Sequence, residues 1–156
     1  MDKSIHISQM ADIIEEIVQS GASFEFSPHG ISMRPSVADG DTVTLKKACF
    51  PLKMFDIALY RRTNGSVVMH RVVGRLGKSY MMAGDAQKFV EYPVGADSII
   101  GVVTKVTRCG KEVKCLRSNA FVSLFFRDMR LFCAKLRLIL SLLYRKFIKR
   151  KQQNVF

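Results

Sequence analysis

The spacing of apolar residues changes twice along the chain. In residues 8–20, Met10, Ile13, Ile14, Ile17 and Val18 recur every three to four positions, as on one face of a helix. Ser8 stands where an N-cap belongs, and Gly21 where such a helix stops. From Phe24 to about Leu116 the period shortens to two. Segments 23–27, 42–45, 57–61, 66–73, 79–83, 99–108 and 112–116 read as strands, separated by Asp39-Gly40-Asp41, Asn64-Gly65, Gly77 and Gly110. Asn64-Gly65, between Tyr60-Arg61 and Val67-Val68, marks a hairpin. Residues 119 to about 150 return to helical spacing, with Ser118 or Asn119 as cap. Phe121, Phe125, Leu136, Ile139 and Leu143 share one face there, and Arg127, Arg130, Arg137 and Arg145 share the other. The expected fold is mainly β: a compact antiparallel domain over 23–117, a short N-terminal helix in 1–22, and a long basic amphipathic helix in 118–156.

Charge changes this picture in one place. The chain of 156 residues carries a formal net charge of +12. Between Arg127 and Lys151 there are nine basic residues and one acid, so two thirds of the excess lies in the last segment. Its charges recur too often for a membrane span, and no stretch of about 18 apolar residues occurs. A basic amphipathic helix over residues 121–151 suits an anionic membrane surface. It equally suits packing on the β domain with its basic face in water. Nucleic acid is not the expected partner, because the sequence has no helix-turn-helix pattern and no stacking array of aromatics. Asp2, Asp12, Glu15 and Glu16 interrupt the N-terminus, which lacks the apolar run of a signal peptide. The expected location is therefore cytoplasmic, or peripheral at a membrane.

Cys49, Cys109, Cys115 and Cys133 form no C-x-x-C pair, and no His lies at zinc-ligand spacing from them. They read as reduced packing residues, and no metal or cofactor is expected. With a turn at Gly110-Lys111, Cys109 would face Glu112, so the pattern implies no Cys109–Cys115 disulfide.

Three segments offer chemistry. Gly30-Ile31-Ser32-Met33-Arg34-Pro35 sets a serine between a flexible Gly and a stiffening Pro, which can hold it exposed with its own N–H free for an oxyanion. Most serines in such turns only bond the backbone. Val67-Val68-Met69-His70-Arg71-Val72-Val73 puts His70 and Val68 on one strand face. A strand histidine is commonly a solvated or core residue, yet a nucleophilic serine needs such a base. Met82-Ala83-Gly84-Asp85-Ala86-Gln87 ends a strand. Asp85 there is either a turn cap or a buried carboxylate that orients an imidazole.

The order G-x-S-M-x-P, G-D-x-V, D-I-x-x-Y, H-R-V and G-D-A resembles that of type I signal peptidases and the related LexA-like peptidases, over about Phe24 to Val106. H-R-V is similar to the branch of the endoplasmic reticulum and of archaea, which uses Ser and His. The resemblance implies a coiled, mostly antiparallel β-sheet that binds its substrate as an extended strand, with Ser32 as nucleophile and His70 as general base. It also implies a small residue before the cleaved bond. For the acid, Asp85 is the first choice because it belongs to the tighter motif. Glu91 is the second, and Asp97 lies further on. Members of the family usually carry an N-terminal membrane anchor, which has no counterpart here. Where some carry an oxyanion-donating Ser two residues before the nucleophile, this chain has Gly30. His29 reads as a surface turn residue and His6 as incidental.

The expected activity is a serine endopeptidase acting on an extended segment of a precursor, leader or signal-like peptide. The alternatives are a LexA-like peptidase cutting itself or a repressor, and a non-catalytic peptide-binding module of the same fold. About 20 residues before the β domain are too few for a helix-turn-helix of its own.

Overall fold

The computed structural model of the chain describes residues 10–113. Ser8, His6, Cys115, Cys133 and the expected C-terminal helix lie outside the described residues. Eight strands form one antiparallel sheet, so the fold is mainly β as expected. They are β1 (Phe24–Phe26), β2 (Thr42–Lys46), β3 (Ile57–Arg61), β4 (Val67–Leu76), β5 (Ser79–Ala83), β6 (Glu91–Val94), β7 (Ile99–Arg108) and β8 (Lys111–Glu112). The order across the sheet is β1-β2-β7-β3-β4-β5-β6, with β8 paired to β7.

Two elements differ from the expectation, each for a local reason. β6 escaped the pattern because Pro93 interrupts it and Tyr92 is exposed, as an edge strand tolerates. The last turn is one residue earlier than its glycine suggested. Cys109 (φ 49°) and Gly110 (φ 74°) both adopt the left-handed conformation of a two-residue hairpin turn. Glu112 consequently pairs with Thr107 rather than facing Cys109.

The helix α1 (Ala11–Gln19) ends at Ser20, and Gly21 takes a φ of 94° with its N–H on Val18 O. Met10 occupies the N-cap without a side-chain cap bond. Ala11, Ile14 and Val18 are the buried stripe, whereas Ile13, expected on that face, is 55% exposed. Positions 11, 14 and 18 follow one seam three and four residues apart, and position 13 lies off it.

Strand alternation sorts the interior into two apolar groups. Ile14 and Val18 join Val43, Leu45, Leu59 and Met69 in one, while Ala58, Tyr60, Val72 and Met82 form the other. α1 therefore packs as part of the β domain's own core. Gly101 on β7 permits the approach, since a Cβ there would lie 3.2 Å from Val18 Cγ1 and 3.0 Å from Lys46 O.

Ile14→Ala is expected to destabilise the chain by about 2–5 kcal/mol, and Ile13→Ala by less than about 0.5 kcal/mol. Urea denaturation followed by circular dichroism measures both. Equal effects would contradict this packing of α1.

Candidate functional site

The Ser32 loop is pinned along its length. Gly30 adopts a φ of 120° and donates its N–H to Asp39 Oδ1 at 2.9 Å. Val37 N–H bonds Met33 O at 2.9 Å, and both side chains are buried. Ala38 N–H donates to Asp41 Oδ2 at 2.8 Å. Asp41 also receives Arg108 Nε at 2.8 Å and Nη2 at 2.7 Å, and the same guanidinium reaches Pro35 O at 3.1 Å. The hydrogen bonds from Arg108 hold the Asp41 carboxyl below its ordinary range, against the opposing effect of burial. The G-D-x-V motif is thus a clamp on the loop that carries the serine.

The turn after β5 closes on the serine itself. Ala86 N–H donates to Ser32 O at 2.8 Å. A Cβ on Gly84 would lie 2.7 Å from that carbonyl oxygen, so only glycine fits there. Ser32 is half-buried. Among the described residues, neither Ser32 Oγ nor Ser32 N–H has a hydrogen-bond partner, and no hydrogen bond joins Ser32 Oγ to the His70 ring.

Arg71, next to His70, draws these segments to one point. Its side chain is fully buried. Nε and Nη2 grip Asp85 at 2.7 and 2.6 Å, Nη1 reaches Phe55 O at 2.8 Å, and Nη2 also reaches Ser36 Oγ at 3.0 Å. Asp85 is therefore paired with Arg71, and its charge reaches the His70 ring at longer range, while the carboxylate in contact with that ring is Glu91, the second choice from the sequence. A fully buried guanidinium requires a counter-charge, and Asp85 is the carboxylate placed to supply it.

Glu91 occupies the position expected of Asp85. The His70 ring is 2% exposed, and its Nδ1 lies 3.1 Å from Glu91 Oε1 and 3.1 Å from Tyr60 Oη. An ionised carboxylate only accepts, so Glu91 favours the tautomer with its proton on Nδ1, in which Nε2 is the basic nitrogen. Burial pushes the imidazole below its ordinary value of 6.5, with the Glu91 charge opposing and the Arg62 charge reinforcing the shift. Burial by itself would raise the Glu91 carboxyl. Hydrogen bonds from Arg62 and Tyr60, with the neighbouring His70 ring and the Arg62 charge, hold it below its ordinary 4.5. Burial and the neighbouring Glu91 charge raise the Tyr60 phenol, which stays protonated. Asp97 lies in a helical turn (Ala96–Ser98) beyond β6 and makes no contact with His70.

A cavity of about 620 Å³ opens beside the serine. Ser32, Met33, Leu59, Val67, Val68 and Met69 line it with residues of α1 and β1. Val68 and His70 pair with Tyr60 and Ala58 of β3, and the hairpin bond from Arg62 N to Ser66 O sets the same phase. The alternation of backbone direction then turns Met69 N–H and C=O toward the opposite edge of β4. β5 pairs along that edge only from Arg71, opposite Ala83. One step further in register, Gly84, which touches Ser32, comes level with His70. Ser32 and the β4 residues Val67, Val68 and Met69 thus line one cavity.

Among the described residues no group of three or more His, Cys, Asp or Glu side chains is placed to hold a metal ion, and no helix is long and apolar enough to cross a membrane. No family model matches the chain, and no curated protein matches it.

Sequence reasoning missed Arg62 and the second role of Tyr60. Arg62 Nε bonds Glu91 Oε2 at 2.8 Å, and its Nη2 bonds Oε1. Tyr60 stood in the quoted D-I-x-x-Y pattern, two residues before Arg62, and that spacing on one strand face was the available signal.

His70 and Glu91 give stability the same pH sign. The folded chain keeps His70 neutral below the value at which an unfolded histidine protonates. Its contribution is whole above pH 6.5 and is lost as pH falls below that value. The depressed Glu91 carboxyl adds a contribution that is lost only at lower pH, below 4.5. The urea midpoint of the parent chain is expected to fall as pH is lowered from 6.5 toward 4.5, and that of His70→Gln to stay level across that interval. Parallel curves for the two chains would show that His70 is not held neutral by the fold.

Proposed function

We propose that the chain is a serine endopeptidase of the signal-peptidase type, cleaving an extended segment of a precursor, leader or signal-like peptide. Ser32 is the nucleophile, His70 the general base, and Glu91 the carboxylate that orients His70. The observation that carries this reading is the Glu91 carboxylate at Nδ1 of a buried histidine whose strand lines one cavity with Ser32. That arrangement leaves Nε2 unprotonated, as proton abstraction from a serine requires.

A peptide laid along the β4 edge meets Met69 N–H and C=O and places its side chains over the cavity, as in strand addition to a sheet edge. Ser32 Oγ attacks the scissile carbonyl and passes its proton to His70 Nε2. The oxyanion receives Ser32 N–H. The imidazolium, stabilised by Glu91, protonates the leaving amine, and water then releases the acyl group by the reverse path. Approach of Ser32 Oγ to Nε2 completes only with peptide bound, since catalytic hydrogen bonds are commonly loose in an empty site.

The basic segment of residues 121–151 is proposed to hold this enzyme at an anionic membrane surface. Its net excess of eight positive charges supports this, at about 1 kcal/mol for each basic residue near the lipid. The full chain is expected to co-sediment with phosphatidylserine-containing vesicles, less so at high salt, and not with phosphatidylcholine alone. Indifference of the full chain to both vesicles would assign the apolar face to packing instead.

Incubation of the full chain with a peptide library, read by mass spectrometry, tests the chemistry. Ser32→Ala and His70→Ala are expected to lower cleavage by about a thousandfold or more, and Glu91→Gln by about a hundredfold, all three remaining folded. Asp85→Asn is expected to lower the urea midpoint, because it removes the charge opposite Arg71. Cleavage that survives Ser32→Ala would refute the assignment. Peptides retained by the parent chain but left uncut would identify a binding module.

A further inference from the structure

We propose that Arg62 is a positioning residue of this site: its guanidinium fork holds the Glu91 carboxylate in the plane and at the distance that orient the His70 ring. The inference rests on the reading of His70 and Glu91 given above and adds a residue outside every motif the sequence displayed.

The geometry of Glu91 requires such a restraint. Glu91 is the first residue of β6, a four-residue strand at the outer edge of the sheet that pairs with β5 at Glu91–Met82 and Val94–Tyr80. A side chain at the start of a short edge strand keeps most of its rotamers unless something else binds it. His70 Nδ1 meets one carboxylate oxygen at 3.1 Å, which fixes a distance but leaves the carboxylate free to swing. Arg62 supplies two more, one to each oxygen, through Nε and Nη2. Parallel bonds from a planar guanidinium fix both position and plane.

Arg62 is itself held. It follows β3 directly, donates its N–H to Ser66 O at 2.8 Å, and accepts Gly65 N–H at 2.9 Å. The tight β3–β4 hairpin therefore anchors the clamp, while the strand it clamps lies beyond β4 and β5 in the sheet order. Tyr60, two residues earlier on β3, brings its hydroxyl to 3.1 Å from Nδ1 and also bonds Glu91. The ring is thus addressed by Tyr60 from β3, Arg62 from the hairpin, Glu91 from β6 and, at longer range, Asp85 from the turn after β5.

The charge of Arg62 has a second consequence. A bare carboxylate beside a histidine favours the imidazolium and would remove the free base near neutral pH. Burial is the main force that keeps the imidazole neutral, and the Arg62 charge adds to it, so Glu91 orients the ring without making it an imidazolium. The guanidinium also lowers the basicity of Glu91, which keeps the proton on Nδ1.

The test is an NMR titration of ¹³C-labelled histidine in the full chain carrying Ser32→Ala, compared with the same chain carrying Arg62→Gln or Arg62→Lys. Arg62→Gln removes the charge and is expected to raise the His70 titration midpoint. Arg62→Lys keeps the charge but not the fork. It is expected to hold the midpoint near the parent value while the Nδ1–H proton signal broadens or is lost. In the chain with Ser32 intact, Arg62→Lys is expected to lower kcat about tenfold or more with KM little changed, as misorientation of a base does. A His70 midpoint, an Nδ1–H signal and a kcat that all stay at parent values while only the urea midpoint drops would overturn the proposal, because Arg62 would then only tie strands together. If Arg62→Gln does not fold, the Nδ1–H signal and kcat of Arg62→Lys decide. A chain that cuts no peptide in any background, yet shows the expected NMR changes, would retain Arg62 as the residue positioning Glu91 and His70 and would refute the peptidase reading alone.

Discussion

The buried pair of Arg71 and Asp85 is the contact on which the rest of the site depends. Two opposite charges removed from water are costly unless every donor and acceptor is matched. Here Asp85 takes two bonds from the guanidinium, and Phe55 O and Ser36 Oγ take others. Such a pair need not add net stability, yet removing one partner strands the other charge at a cost of about 3–5 kcal/mol. Its effect is therefore selective. Segments around residues 36, 55, 71 and 85 have one arrangement that satisfies Arg71, and that arrangement sets the Ser32 loop against the turn at Gly84.

Two carboxylates six positions apart are sorted by their surroundings. Asp85 has no exposed side-chain surface and is held by two hydrogen bonds from the buried Arg71 guanidinium. Glu91 sits at the sheet edge with its side chain 20% exposed, between a guanidinium and a neutral imidazole. The first environment suits a permanent ion pair. The second suits a group whose neighbour gains and loses a proton, since part of the charge remains in contact with water. Chemical type alone does not distinguish the two residues; the positive group nearest to each does.

How much of this was legible follows from the range of each interaction. Alternation with turn residues located most of the strands, because those signals are local. The order of motifs named Ser32, His70 and the Gly84-Asp85 turn, and the structure sets that turn against the Ser32 carbonyl. The partner of each carboxylate was not legible, because Arg71 and Arg62 compete for them across strands whose register the sequence does not state. Arg71 was printed within H-R-V, and its need for a buried counter-charge would have claimed Asp85 had its burial been known. Ile13 shows the same limit on a helix: five apolar residues define a face, and only the packing of Ala11, Ile14 and Val18 decides which of them is left outside. Residues 114–156 lie outside the described residues, so the basic helix stays an expectation of the sequence.

One turn both ends a strand and places the serine. β5 stops at Ala83 because Gly84 must pass the carbonyl of Ser32 at a distance no side chain allows. Had the ladder continued, Gly84 and Asp85 would have covered the β4 edge at His70 and Met69. Asp85 instead turns inward to Arg71, and Ala86 takes the Ser32 carbonyl. Exposed strand edges invite pairing with another chain, and proteins usually block them. Here the pairing of β5 with β4 ends at Arg71, beside the cavity that Ser32 lines, so the Met69 backbone groups proposed to meet a peptide lie beside the group proposed to attack it. Any substitution that restored pairing past Ala83 would close the edge and displace Ser32 together.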